Sequence, residues 1–253
     1  MNKTPRFSKS GIEYLDYSWG IFSGCYNLPE GICPVEVCWA KGIALHYPKL
    51  YPNGFNPTYY PEALDSPKYR KKPSRIGVGW VGDVIGYGLE YKEQIYETIR
   101  ACPQHTFLFL TKNPENLPQW SPFPENCYVG VTATGVEAYK QALAGLAVIK
   151  AKVKFLSIEP FLERIPMVAP YELSRDEVQQ VIIGAQTKPY RPPAISAVHE
   201  IVEACDKAGV KVFLKENLKD LLRNEQGWTP ALYVNARECD GTEYLRQEMP
   251  VSG

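Results

Sequence analysis

Residues 153–159 read VKFLSIE and residues 181–186 read VIIGAQ. Each is a short, nearly unbroken apolar run that ends on a polar group, as a strand buried on both faces does when its carboxyl end reaches a rim. Four more runs share this character: RIGVGW from Arg75, TFLFLT from Thr106, CYVGVT from Cys127 and VKVFLKE from Val210. The six begin about 20 to 30 residues apart, the length of a strand-helix unit rather than of a hairpin. Between them, Ile195, Val198, Ile201, Val202 and Cys205 fall on one helical face before Gly209 supplies a stop. Ile95, Ile99 and Cys102 give a shorter stripe of the same kind. An earlier apolar segment, Tyr17–Phe22, adds a first strand. The class is α/β: a complete or partial (β/α) TIM-type barrel of parallel strands, with an open doubly wound sheet as its competitor.

Composition sets limits on what such a fold does. The chain has 253 residues, 45% of them apolar, which is enough for a sizeable core. Its 28 Lys+Arg balance 28 Asp+Glu, so no global field draws it to nucleic acid or to an anionic membrane. No apolar run approaches the roughly 18 residues of a membrane span, and the polar start MNKTPRFSKS is no signal peptide. The expectation is a cytoplasmic protein. No repeat, low-complexity tract or linker divides the sequence. It reads as one barrel-like domain over residues 1–253, with a loop at 24–42, a Pro/Tyr-rich excursion at 47–73 and a C-terminal tail at 225–253. The excursion holds six prolines without a clear period and is expected to run as an ordered loop over the surface.

In either parallel architecture the chemistry sits at the carboxyl ends of the strands. Those ends carry Asp83, Lys112, Thr132, Glu159, Gln186 and Lys215. Long charged groups sharing a mouth must be paired or bound to something. The seven cysteines sharpen this. Cys25, Cys33 and Cys38 fall in one loop, spaced C-x7-C-x4-C, while Cys102, Cys127 and Cys205 read as core residues and Cys239 lies in the polar tail. Three thiols in one loop suit an iron-sulfur cluster with one iron open to an outside ligand. A Cys3His zinc site using His46 and plain coincidence stand beside that reading.

The succession GIEYLDYSWGIFSGC, a three-cysteine loop ending CWA, then GWVGD, CPQHTFLFLTKNPE, VGVT, FLSIEPFL, VIIGAQ and AGVKVFLKENL, from about Gly11 to Leu218, resembles a phage-associated domain family. That family is itself similar to radical SAM enzymes and, more distantly, to spore photoproduct lyase. The loop departs from the family's C-x3-C-x2-C by four extra residues in the first gap and two in the second. Val37 stands where an aromatic residue is usual, and Trp39 follows the last cysteine.

The resemblance implies a radical SAM-like fold and an oxygen-sensitive enzyme, in which Cys25, Cys33 and Cys38 ligate a 4Fe-4S cluster. The cluster would cleave S-adenosylmethionine reductively to a 5'-deoxyadenosyl radical, fed by an electron donor such as flavodoxin or ferredoxin. Trp39, Gly79, Gly82 and Asp83 would line the cofactor, and Lys112 would meet its carboxylate. Thr132 and Glu159 would hold the ribose and Gln186 would lie under the adenine. Lys215 would touch the substrate or pair with Glu159. The catalytic set is then Lys112, Glu159 and Lys215. A nucleotide or nucleic-acid substrate fits the relation to a photoproduct repair enzyme but gains nothing from net charge. The basic stretch KYRKKPSR from Lys68 reads first as a solvated loop. The competing functions are a zinc-bearing Cys3His nucleic-acid-binding protein and a cofactor-free barrel hydrolase or lyase. The latter would use Asp83 and Glu159 as acid and base with Lys112 or Lys215 as electrophile.

Overall fold

A computed structural model describes residues 3–165, 170–224, 233–234 and 244–250. The described residues form two compact units, one up to Val131 together with Val148–Lys152, the other Thr132–Ala147 together with residues from Val153 onward. None of the described helices is long and apolar enough to cross a membrane.

Unit 1 contains β1 (Phe7–Lys9), β2 (Tyr17–Trp19), β3 (Phe22–Gly24), α1 (Trp39–His46), β4 (Thr58–Tyr59), β5 (Arg75–Val78) and β6 (Val81–Gly82). It continues through α2 (Val84–Tyr87), α3 (Lys92–Arg100), β7 (Thr106–Thr111), α4 (Leu117–Trp120) and β8 (Cys127–Thr132), whose last residue opens unit 2. Its main sheet runs β1-β2-β5-β7-β8, parallel except for β1. The apolar segment expected to be one strand, Tyr17–Phe22, is two. β2 joins the main sheet, whereas β3 leaves it to pair with β4 and β6 in a small second sheet. The break falls at Gly20, whose N–H is taken by the Arg6 carbonyl.

The long segment 47–73 does not merely lie on the surface. Tyr60 and Ala63 are buried, and the Ala63 carbonyl accepts the indole N–H of Trp19 at 2.7 Å. A further aromatic cluster packs on β7. Phe109 meets Tyr96, Trp120 and Phe123 at ring-centroid distances of 5.7 to 6.4 Å. The Trp120 indole donates to the Ile85 carbonyl, and the Tyr96 hydroxyl donates to the Trp120 carbonyl. These buried aromatic residues thus leave no polar handle unpaired.

Unit 2 contains α5 (Val136–Ala147), β9 (Val153–Ile158), α6 (Pro170–Arg175), β10 (Val178–Ile183), β11 (Gln186–Thr187) and β12 (Tyr190–Arg191). α7 (Ile195–Ala208), β13 (Lys211–Leu214), α8 (Lys219–Asn224), β14 (Tyr233–Val234) and β15 (Tyr244–Leu245) follow. Strands β9, β10 and β13 are parallel neighbours. α7 buries Val198, Ile201, Val202 and Cys205 and stops on Gly209 at φ 69°, a left-handed cap that glycine adopts without a Cβ clash. The described part of segment 225–253 is not a free tail. The Leu214 N–H bonds to the Arg246 carbonyl and the Glu248 N–H to the Val212 carbonyl, so residues 246–248 cover the outer edge of β13. Cys239 lies outside the described residues.

The strand-helix alternation read from the sequence is present, and it is the pattern of a partial (β/α) barrel. Neither unit closes a barrel on itself: β1 and β8 are the ends of one strand set, and β9 and β13 of the other. Replacing Trp120, which is fully buried, with Ala removes the centre of the aromatic cluster. The expected loss is about 3–5 kcal/mol. A urea titration followed by tryptophan-independent circular dichroism should show the midpoint falling accordingly; an unchanged midpoint would show that the cluster is not what holds α3 and α4 to β7.

Candidate functional site

The cysteine loop of unit 1 begins where β3 ends. Gly24 pairs with Gly82 of β6, and the two backbones approach so closely that a Cβ on Gly82 would stand 2.5 Å from the Gly24 nitrogen. Gly82 is therefore consumed by strand packing. Gly79 turns the chain between β5 and β6 at φ 63°. The pairing delivers Cys25 and Asn27 to the end of β6, where Asp83 caps α2 by accepting the Gly86 N–H at 3.0 Å.

Asp83 is only 4% exposed, and a buried carboxylate must be matched by donors. It accepts from five groups: the Gly86 N–H, Asn27 Nδ2 at 3.0 Å, Thr111 Oγ1 at 2.8 Å, the Lys112 N–H at 3.0 Å and Asn113 Nδ2 at 2.9 Å. Its lone pairs are spoken for, so the expected acid-base or cofactor contact of Asp83 gives way to a structural one. Lys112 contributes its backbone N–H to this network, and its side chain is half-buried.

Asn27, which the sequence reading passed over, joins the network to the thiols. Its side-chain oxygen accepts from Asn113 Nδ2 at 2.8 Å and lies 2.8 Å from the Tyr87 hydroxyl, which is also 2.7 Å from a Glu30 carboxylate oxygen. Its carbonyl accepts the N–H groups of Ile32 and Cys33 at 2.8 and 2.9 Å. One residue thus fixes the backbone of Cys33 and the approach of Cys25 to the same buried carboxylate. Cys38 caps α1, its sulfur accepting the Lys41 N–H at 3.5 Å, and Trp39, 47% exposed, opens that helix.

The three thiols are free and partly exposed. Burial pushes the Cys25 thiol up to about 11; a backbone hydrogen bond from Asn27 works against this, and Asp83, Cys38 and Cys33 reinforce it. The sulfurs therefore feel one another. Even so, among the described residues no three His, Cys, Asp or Glu side chains are grouped so as to hold a metal ion. The Cys3His zinc site in particular is not assembled. Cys38 and His46 stand at opposite ends of the eight-residue α1, which at the ordinary helical rise separates them by about 12 Å. Cys102, Cys127 and Cys205 are fully buried, as expected of core residues.

In unit 2 the strand ends assemble a different constellation. The Ala133 N–H donates to the Ser157 carbonyl at 2.9 Å, a ladder contact that sets Thr132 level with Ser157. Ser157 is in register with Ile182 of β10 and, through it, with Phe213 of β13. Two residues further along each strand, on the same face by the period of the pleat, come Glu159, Gly184 and Lys215. Lys215 and Glu159 form an ion pair through Nζ and Oε1, across the strand between them. Gly184 makes this crossing feasible, since a Cβ there would lie 3.0 Å from Lys215 Cδ and 3.2 Å from Glu159 Cγ. One level below Glu159 lies Ser157, with Thr132 beside it; the Thr132 and Ser157 hydroxyls are buried, at 4% and 1% exposure, without a hydrogen-bond partner among the described residues. Gln186 is occupied elsewhere, its amide donating to the Pro189 carbonyl to close the β11-β12 hairpin.

Ser157 and Gly184 are the residues of this face to which the sequence reading gave no role, although both stand at strand ends. The signal was present in Ser157, a polar residue inside VKFLSIE. Two cations of the basic stretch from Lys68 have acidic partners, Lys68 with Asp65 and Arg75 with Asp16, and the Arg70 guanidinium lies over the Tyr17 ring.

A family model described as "Protein of unknown function (DUF5131)" matches residues 9–244. The chain belongs to that family. Among solved structures, the chain is similar to "Spore photoproduct lyase complexed with dinucleoside spore photoproduct", with a TM-score of 0.46 and 12% identity. The match covers 79% of this chain and 64% of that one. No curated protein matches.

Changing Asn27 to Ala should release the loop from Asp83 and expose its thiols. With a thiol pKa of about 11, only about one Cys25 in a thousand is thiolate at pH 8, so labelling of native Cys25 is slow there. Iodoacetamide labelling followed by peptide mass spectrometry should show Cys25 reacting about 10-fold faster in the variant, with Cys127 still unlabelled. Equal rates in the two proteins would mean that Asn27 does not restrain the loop.

Proposed function

We propose that the chain is an enzyme whose reaction takes place on the strand-end face of unit 2, with Glu159 and Lys215 as its acid-base pair and a small polar substrate. The observation that carries this reading is the meeting on one face of an ion pair with two buried hydroxyls that have no partner among the described residues. Buried hydroxyls are costly to leave unmet, and a ligand that bonds to them removes the cost. Lys215 is a cation able to stabilise an oxyanion or polarise a carbonyl, and Glu159 is a base within reach of the same bound atoms. The chemistry is that of a hydrolase or lyase. The earlier expectation that Asp83 would supply the second carboxylate is replaced: Glu159 works with Lys215, and Asp83 builds the other unit.

The test is a screen of the purified protein against ester, amide and hydroxy-acid or amino-acid substrates, repeated with Glu159→Gln and Lys215→Met. Either change should lower kcat/KM on any substrate found by about 100-fold or more. Retention of full activity in both variants would place the reaction elsewhere.

A second reading is favoured by the thiol loop. Two of its sulfurs already receive backbone hydrogen bonds, Cys25 from Asn27 and Cys38 from Lys41, and bonds of this kind tune cluster-bound thiolates. The donor chemistry, three soft thiols in one loop, suits a 4Fe-4S cluster, and the family resemblance in the sequence motifs points the same way. The present arrangement of the donors does not form a metal-holding group, so residues 25–38 would have to draw together on loading. When bound, such a cluster supplies an electron for reductive cleavage of S-adenosylmethionine. The chain's own part in this reading is to hold Cys25 and Cys33 through Asn27 and to keep the buried side of the loop dry. Purification without oxygen should then yield iron and sulfide in equal amounts, lost on Cys33→Ala. A colourless protein free of iron would end this reading and leave the first untouched.

A further inference from the structure

The same face of unit 2 also specifies a class of ligand, an inference that rests on its being the site proposed above. The Lys215–Glu159 pair is electrically neutral, and both side chains are mostly buried, at 14% and 21% exposure. A ligand with one charge that inserts between them satisfies one partner and strands the other. A simple anion bound to Lys215 leaves Glu159 unmatched, and a simple cation on Glu159 leaves Lys215 unmatched. Breaking a buried pair in this way is far more costly than exchanging both partners together. A molecule carrying a carboxylate and an ammonium group a few bonds apart makes that exchange one for one, its carboxylate meeting Lys215 Nζ and its ammonium meeting Glu159.

Two further features favour such a ligand over a bridging water. Thr132 Oγ1 and Ser157 Oγ are adjacent, buried and unpartnered, and each both donates and accepts, so together they match a polar side chain pointing down from the zwitterionic head. Gly184 lets the Lys215 and Glu159 side chains lie directly over the middle strand, where a Cβ would press on Lys215 Cδ and Glu159 Cγ, so a ligand that separates the pair takes the space that the pair now fills. We propose that unit 2 binds a free α-amino acid with a small polar side chain, its two charged groups replacing the Lys215–Glu159 contact and its side chain meeting Thr132 and Ser157.

Titration calorimetry of the whole protein tests this with L-serine, glycine, sodium acetate and methylammonium chloride as probes. L-Serine should bind saturably, and acetate and methylammonium about 10-fold or more weakly, a difference of about 1.4 kcal/mol. Glu159→Gln should weaken L-serine by about 10-fold or more, and Gly184→Ala should abolish its binding. Paired Thr132→Val and Ser157→Ala changes should remove the preference for L-serine over glycine while leaving glycine unaffected.

Acetate or methylammonium binding as tightly as L-serine overturns the proposal, as does the absence of saturable binding by both amino acids. An unchanged preference for L-serine in the hydroxyl variants would mean that Thr132 and Ser157 hold only water and would overturn their role. If Gly184→Ala does not fold, Glu159→Gln decides the matter. The two levels fail separately. Activity lost in Lys215→Met without amino-acid binding removes the ligand class and keeps the acid-base reading, whereas L-serine binding with activity unaffected by Lys215→Met removes the acid-base reading and keeps the ligand site.

Discussion

The Asp83 carboxylate is the constraint on which unit 1 is built. A carboxylate withdrawn from water is tolerated only when donors replace the water it loses, and Asp83 collects them from three separate stretches of chain. Asn27 comes from the cysteine loop, Gly86 from α2, and Thr111, Lys112 and Asn113 from the end of β7. Two of the five donors are backbone N–H groups that cannot reorient without unwinding the elements that carry them. The network therefore fixes the turn after β6, the exit from β7 and the entry to the cysteine loop together. The Gly24–Gly82 contact serves the same end, because only two strands without side chains at that point bring Asn27 within reach.

This explains which features were legible in the sequence. The runs from Thr106, Cys127 and Val153 are strands nearly to the residue, and the α7 stripe with its Gly209 stop is a helix with a left-handed cap. These are local patterns, in which periodicity and the terminating residue carry the whole message. Tyr17–Phe22 misled because its apolar character is continuous while its hydrogen bonds are divided between two sheets, and nothing local in the sequence marks where partners change. Asp83 misled for a related reason. A carboxylate at a strand end looks the same whether its donors come from a ligand or from Asn27, which is 56 residues away in the chain.

The thiol loop shows how far such a network reaches. Asn27 ties the Cys25 side of the loop to Asp83 and holds the Cys33 backbone with its own carbonyl, whereas Cys38 belongs to the first turn of α1. Two anchors of different origin thus set the spacing of the three sulfurs. The additional residues in each gap, relative to C-x3-C-x2-C, lie between these anchors. Length added there changes the path of the backbone without moving either anchor, which is why the unusual spacing alone says little about what the sulfurs can hold.

The two strand-end carboxylates illustrate the difference between a group that builds and a group that acts. Asp83 is held by five donors and would forfeit all of them to bind anything else. Glu159 is held by its ion pair with Lys215, on a flexible lysine stem, over a strand residue with no side chain. A ligand entering at Glu159 has a single contact to replace and two waiting hydroxyls to gain, while a ligand at Asp83 would have to dismantle the turn on which β6, α2 and β7 depend. Equal chemistry at the two positions therefore leads to unequal availability, and it is on availability that the proposed reactive role of Glu159 rests.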